Sequence, residues 1–120
     1  MATGTIPKYA DGTDSQLQPI TASTFNGTIY VRQIGKIVMV YATNITLKTD
    51  LSGQSLYRSL GTLFADYSPA SVISFWAGSL TKMGQIRIAP GGVTNFFRPN
   101  ATETWSTSDN ITFSGMYIAA

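Results

Sequence analysis

The sequence contains no cysteine and no histidine. Without thiols there is no disulfide framework, so the fold must rest on its own core or on assembly, and cysteine usage reports no redox compartment. The same two absences exclude His/Cys zinc sites, cysteine nucleophiles and Ser-His-Asp triads. Charge is scarce too: Asp, Glu, Lys and Arg make up 12% of the chain, about half the usual share. Eight basic against six acidic residues leave a net +2, too small and scattered to attract a nucleic-acid backbone or an anionic membrane. The carboxylates lack the Asp-x-Asp spacing of a calcium loop, so neither a metal nor a cofactor is expected. The longest apolar run is only Ile37 to Ala42, and the stretch Met1 to Ile20 carries Lys8, Asp11 and Asp14 with no apolar block. Neither a signal peptide nor membrane insertion is expected.

What remains is a chain of 120 residues, 43% hydrophobic, the size of one domain that buries about two-thirds of its unfolded surface. Thr, Ser, Gly and Asn fill the polar positions, which is a strand-and-loop composition. Residues 1–25 read as an arm or linker, because Gly4, Pro7, Asp11-Gly12 and Pro19 interrupt any periodicity. Ile6, Tyr9, Leu17 and Ile20 give this arm a few apolar docking points. Residues 26–120 read as the folded domain.

Within that domain, Thr28 to Gln33 and Ile37 to Thr43 are β-branched and aromatic and flank Gly35-Lys36, the pattern of a hairpin. Its second strand is almost wholly apolar, which predicts burial on both faces or a central place in a sheet. Asn44 to Gly61 fits neither helical nor strand period and reads as a strand end and a loop. Ser71 to Ala77 has strand composition, and Gly84 to Ala89 alternates cleanly before Pro90-Gly91-Gly92 turns the chain into Val93 to Phe97. A last strand is expected over Asn110 to Ile118, and no helical stripe of three turns occurs. About six short strands between turns imply an all-β fold, an antiparallel β-sandwich, jelly-roll-like or a small barrel. That outline alone fits lectins, immunoglobulin-like modules and viral spike domains equally.

Candidate chemistry is sparse. Asp66 and Glu103 are the carboxylates that stand near aromatics, Tyr67 and Trp105, and a pair of acids about one substrate can cleave a glycoside. Solvated loop charges are the plainer interpretation. Trp76, Trp105, Tyr57, Tyr67 and Tyr117 are possible sugar platforms, since the apolar face of a pyranose stacks on an aromatic ring. Trp76, inside an apolar strand, is expected to pack in the core or a subunit interface, whereas Trp105, in the polar run Thr102 to Asp109, is the better ligand candidate. Arg98 to Trp105 is polar, Pro-punctuated and aromatic-tipped, like many binding loops at the end of a sandwich. Asn26, Asn44, Asn100 and Asn110 each begin an Asn-x-Thr sequon, which threonine abundance explains.

The order of motifs adds a resemblance. Val31-Arg32-Gln33-Ile34-Gly35-Lys36-Ile37-Val38-Met39-Val40, then Gly61-Thr62-Leu63 to Tyr67-Ser68-Pro69, then Gln85-Ile86-Arg87-Ile88 to Gly92-Val93, and Ile111 to Tyr117, resemble the C-terminal β-sandwich domain of bacteriophage tail-fibre, baseplate and receptor-binding proteins. The match runs from Gly27 to Ala120 and departs at Phe64-Ala65-Asp66, where the family carries Pro-Ala-Gly, and over Asn44 to Leu60. The resemblance implies a non-enzymatic homotrimer at the phage tail tip. Made in the bacterial cytoplasm, it would contact other phage tail proteins and recognise host-surface glycans without cleaving them. On that footing Trp105 is the stacking platform, Arg98, Asn100, Glu103 and Asp66 are hydroxyl partners, and Tyr67 is a second aromatic. A structural virion protein, such as a tail or baseplate spacer or a capsid decoration protein, is the alternative. A hydrolase comes third and requires Asp66 and Glu103 in one cleft.

Overall fold

The computed structural model describes residues 16–20, 24–52, 57–100 and 102–120; Ile6 and Tyr9 of the arm lie outside this set. The chain is all-β, and its described residues form nine strands: β1 Gln16–Pro19, β2 Phe25–Asn26, β3 Thr28–Ile34, β4 Ile37–Leu47, β5 Tyr57–Thr62, β6 Ile73–Gly78, β7 Met83–Ile88, β8 Val93–Phe97 and β9 Ile111–Ile118. The only helical element among the described residues is a single 3₁₀ turn, Ala65–Tyr67.

Every strand pairing is antiparallel, in the order β1-β3-β4-β9-β6-β7-β8-β5, with β2 added to the far end of β4. β9 and β6 pair only at Ala77–Phe113 and Gly78–Thr112 and then part. The sheet therefore folds into two facing layers, β1-β3-β4-β9 and β6-β7-β8-β5, which is the sandwich expected from the sequence. Side chains from both layers meet between them: Phe25 of β2 touches Phe96 of β8 edge-on at 5.8 Å between ring centroids, and Phe75 of β6 lies against Phe113 and Tyr117 of β9.

Alternation places the core. Ile29 and Val31 of β3, Val38, Val40 and Ala42 of β4, Ile86 and Ile88 of β7, Phe96 of β8, and Ile111 and Phe113 of β9 point inward and are buried. Each such large side chain contributes about 1.5–3 kcal/mol by leaving water. The Gly35-Lys36 hairpin forms as expected, Ile34 opposite Ile37, with Gly35 at φ +61, a conformation that costs glycine little. β4 takes the central place, between β3 and β9, but only one of its faces is buried. Ile37 and Tyr41 point outward and are exposed.

The stretch that reads as loop in the sequence holds β5, which hydrogen-bonds β8. A bulge between Ser59 and Gly61 breaks its alternation and leaves Leu60 as its buried apolar residue, so no period survives in the sequence. The end of the arm also joins the sheet: β1 pairs with β3, and Ile20 belongs to the core.

Candidate functional site

The loop from Arg98 to Asn110, a binding loop by its sequence, has another task in the structure. Trp105 is 0% exposed. Its backbone forms a two-way bridge with Leu51, at 2.7 and 2.9 Å, and its indole meets Phe96 edge-on, at 5.0 Å and 77°. Lys82 covers the ring, its Nζ 5.8 Å from the centroid, and is itself held at 2.6 Å by Asp109. Trp105 is thus a core plug, and its expected role as an exposed platform is corrected. A polar run conceals this because one large apolar side chain is enough to anchor a loop whose remaining residues face water.

Arg98 is likewise buried, at 1% exposure. Its Nη1 donates to the carbonyl of Glu103 at 2.8 Å, clamping the loop against β8. Burial and the nearby charge of Arg58 both pull its pKa down, and Glu103 opposes them. Asn100 is exposed, and its Oδ1 accepts from the backbone N–H and hydroxyl of Thr102, so it shapes a turn. At the base of the loop the Asp109 carboxylate accepts from Lys82 and from the N–H of Ser106. Burial alone would raise its pKa, but these bonds and the Lys82 charge outweigh it and hold the carboxyl below its ordinary value.

Asp66 and Tyr67 lie elsewhere. They belong to the 3₁₀ turn, just after Leu63, whose N–H donates to Gly92 before β8 begins. Glu103 is tied to Arg98, after β8 ends. A five-residue strand of roughly 17 Å stands between the two carboxylates, well beyond the spacing a glycosidase pair needs. Asp66 and Glu103 therefore do not share a cleft, and the six residues nominated from the sequence do not converge on one site. Tyr67 and Tyr117 are buried, and burial pushes the Tyr117 phenol well above its ordinary pKa. Among the described residues no cluster of three His, Cys, Asp or Glu side chains is close enough to hold a metal. No described helix is long and apolar enough to cross a membrane.

Apart from Val72 and Leu80 in loops, the exposed large aromatic and apolar side chains lie on strands of the two layers. On the β3-β4-β9 face, register sets Ile34, Ile37 and Ile118 in one row and Arg32, Met39 and Met116 in the next. Tyr30 stacks on Tyr41 in a third row, at 5.0 Å and 11°. Ile37, Tyr41, Met116 and Ile118 are all exposed, which makes this half of the surface apolar. A shallow depression between Met39, Tyr41, Ser114 and Met116 runs along it.

The β6-β7-β8-β5 face is built differently. One row reads Trp76, Gln85, Phe97, Tyr57, and the next reads Ser74, Arg87, Asn95, Ser59, each residue in register with its neighbour. Trp76, expected in the core or a subunit interface, is 61% exposed and so does not belong to the core of the chain. Arg87 donates from Nη1 to Tyr57 Oη at 2.6 Å, with its guanidinium 5.7 Å from the Tyr57 ring centroid, and Phe97 supports that ring at 4.7 Å. The period-two alternation of Gln85-Ile86-Arg87-Ile88 already assigns Gln85 and Arg87 to one face. Only the pairing with β5 and β6 shows which aromatics stand beside them.

No protein-family model and no curated protein matches the sequence. Among solved structures, the chain is similar to the head domain of phage bIL170, described among the receptor-binding domains of lactococcal phages. The TM-score is 0.62 at 17% sequence identity, over 89% of this chain and 100% of that one. The resemblance drawn from the ordered hairpin, turn and strand motifs is borne out at the level of the fold.

Proposed function

We propose that this chain is a receptor-binding head domain of a phage tail, carried in the virion, which holds a host cell-surface saccharide without cleaving it. The observation that carries this reading is the shared fold: the whole bIL170 head domain superposes on nearly all of this chain. Two features of the molecule agree with it. The separation of Asp66 from Glu103 leaves the carboxylate pair considered from the sequence without a common substrate. The apolar outer face of β3-β4-β9 suits burial against identical copies, as a homotrimer requires.

The mechanism follows from assembly. A shallow sugar site on a rigid sheet binds weakly, because few groups are desolvated and each is partly open to water. Three such sites on one head, and several heads on one tail, engage a repetitive cell surface together and raise the effective affinity without any new contact. No bond in the receptor needs to break.

The test is an array of purified bacterial surface polysaccharides, probed with the full chain, together with an assay for released sugar. Binding to at least one polysaccharide with no product released is the expected result. Silence across the array would overturn the receptor reading and leave a structural role within the virion.

A further inference from the structure

We infer that the saccharide subsite is the outer face of β6-β7-β8-β5, not the loop around Trp105; the inference rests on the receptor reading above. Strands about 4.8 Å apart carry in-register side chains as rows across a sheet, and rows on one face repeat about every 6.8 Å along each strand. On this face the first row begins and ends with exposed aromatic rings, Trp76 and Tyr57, three strand spacings or roughly 14 Å apart. The second row, Ser74, Arg87, Asn95 and Ser59, is wholly hydrogen-bonding. A sugar has the same two-sided chemistry: a C–H face that stacks on aromatic rings and a rim of hydroxyls that bond to amides, guanidinium and hydroxyl groups. An oligosaccharide laid across the strands meets a ring at each end and polar groups along one flank.

Three further observations favour a saccharide here over a protein surface. The Tyr57 side chain is braced by the Arg87 bond to its Oη and by Phe97, its neighbour in register on β8, so little side-chain freedom is lost on binding. Arg87 has five N–H donors, and its bond to Tyr57 Oη engages Nη1 alone, which leaves capacity for ligand oxygens. None of the four strands contains Asp or Glu. The face thus carries positive charge only and tolerates neutral or negatively substituted sugars. On the β3-β4-β9 face, by contrast, each of the three rows described above carries an apolar or aromatic side chain, and that face fits assembly.

The experiment starts from the polysaccharide that wild-type protein binds on the array and uses it as titrant. Tyr57→Ala and Arg87→Gln are expected to weaken binding by about tenfold or more each, while Asn100→Ala and Asp66→Asn bind as wild type. All four positions lie outside the buried core, and thermal melts confirm that the variants fold. A second readout uses the contrast between the two indoles: iodide should reach Trp76 and not Trp105, and bound polysaccharide should protect Trp76. Three results would overturn the inference: loss of binding in the Asn100 and Asp66 variants alone, unprotected Trp76, or a Trp76→Ala variant whose assembly mass changes because the face is an interface between copies. Silence of wild-type protein on the array removes the receptor reading itself; binding that survives Tyr57→Ala and Arg87→Gln removes only this site.

Discussion

The indole of Trp105 stands edge-on to the ring of Phe96, 5.0 Å away, and closes the core between the long β8–β9 loop and the sheet. Replacing it with alanine should cost about 3–5 kcal/mol of stability, the usual cost of removing a large aromatic from a core. Urea denaturation checks this. A change below about 0.5 kcal/mol, the range of surface substitutions, would mean that the loop closes the core without its tryptophan.

Phe75 lies across Gly115, so a methyl group at position 115 would clash with its ring. Gly115→Ala should therefore destabilise the fold by roughly 1–3 kcal/mol through overpacking. In a Phe75→Ala background the same substitution should cost far less, because the cavity accepts the methyl. A double-mutant cycle measures that coupling. Equal costs in the two backgrounds would place the strain elsewhere.

Asp109 gives the fold an acid-sensitive contact. Its folded pKa lies below its unfolded value, so its contribution is fully present above the unfolded value, near pH 4, and is lost as pH falls through the folded value. Asp109→Asn should accordingly lower the melting temperature at neutral pH and lose its difference from wild type as the solution is acidified. Melting curves from pH 7 to pH 2 test the sign. A gap that widens toward low pH would contradict it.

The apolar β3-β4-β9 face predicts an assembly that charge should break. Wild-type protein should scatter light as about three times 12.9 kDa. Met116→Lys, at the most exposed large apolar side chain of β9, should shift it toward one chain mass. A wild-type monomer, or a trimer indifferent to this substitution, would remove this face as the interface.

Strands and turns are legible in the sequence wherever local chemistry decides them. Gly35-Lys36 and Pro90-Gly91-Gly92 announce their hairpins, and the alternation of β7 separates inner from outer residues by its period alone, whereas in β8 the buried Thr94 and exposed Val93 reverse the polar pattern. β5 escapes because a bulge at Leu60 and a single inward apolar residue erase its period. A core place for Trp76 and an exposed one for Trp105 both fail for a related reason: sequence context describes their neighbours along the chain, while burial is set by neighbours across the sheet. Trp76 stands on the outward register of a strand whose other side feeds the core. Trp105 is carried inward by a bridge to Leu51, far away in sequence. Four of the six nominated site residues share one polar loop and the other two share one turn, and adjacency in a loop gives no information about rows that run across four strands.

The two rows on β6-β7-β8-β5 exist only because three hairpin and strand registers agree. Losing one residue inside β7 would turn Gln85 and Arg87 inward and expose Ile86 and Ile88, so length changes are confined to the turns. Point replacements at Trp76, Gln85, Arg87, Asn95 or Tyr57, by contrast, alter what the face displays while every backbone hydrogen bond stays in place. Variation in specificity on such a scaffold should therefore accumulate as single substitutions on alternate strand positions, with the backbone unchanged between relatives that differ in what they hold.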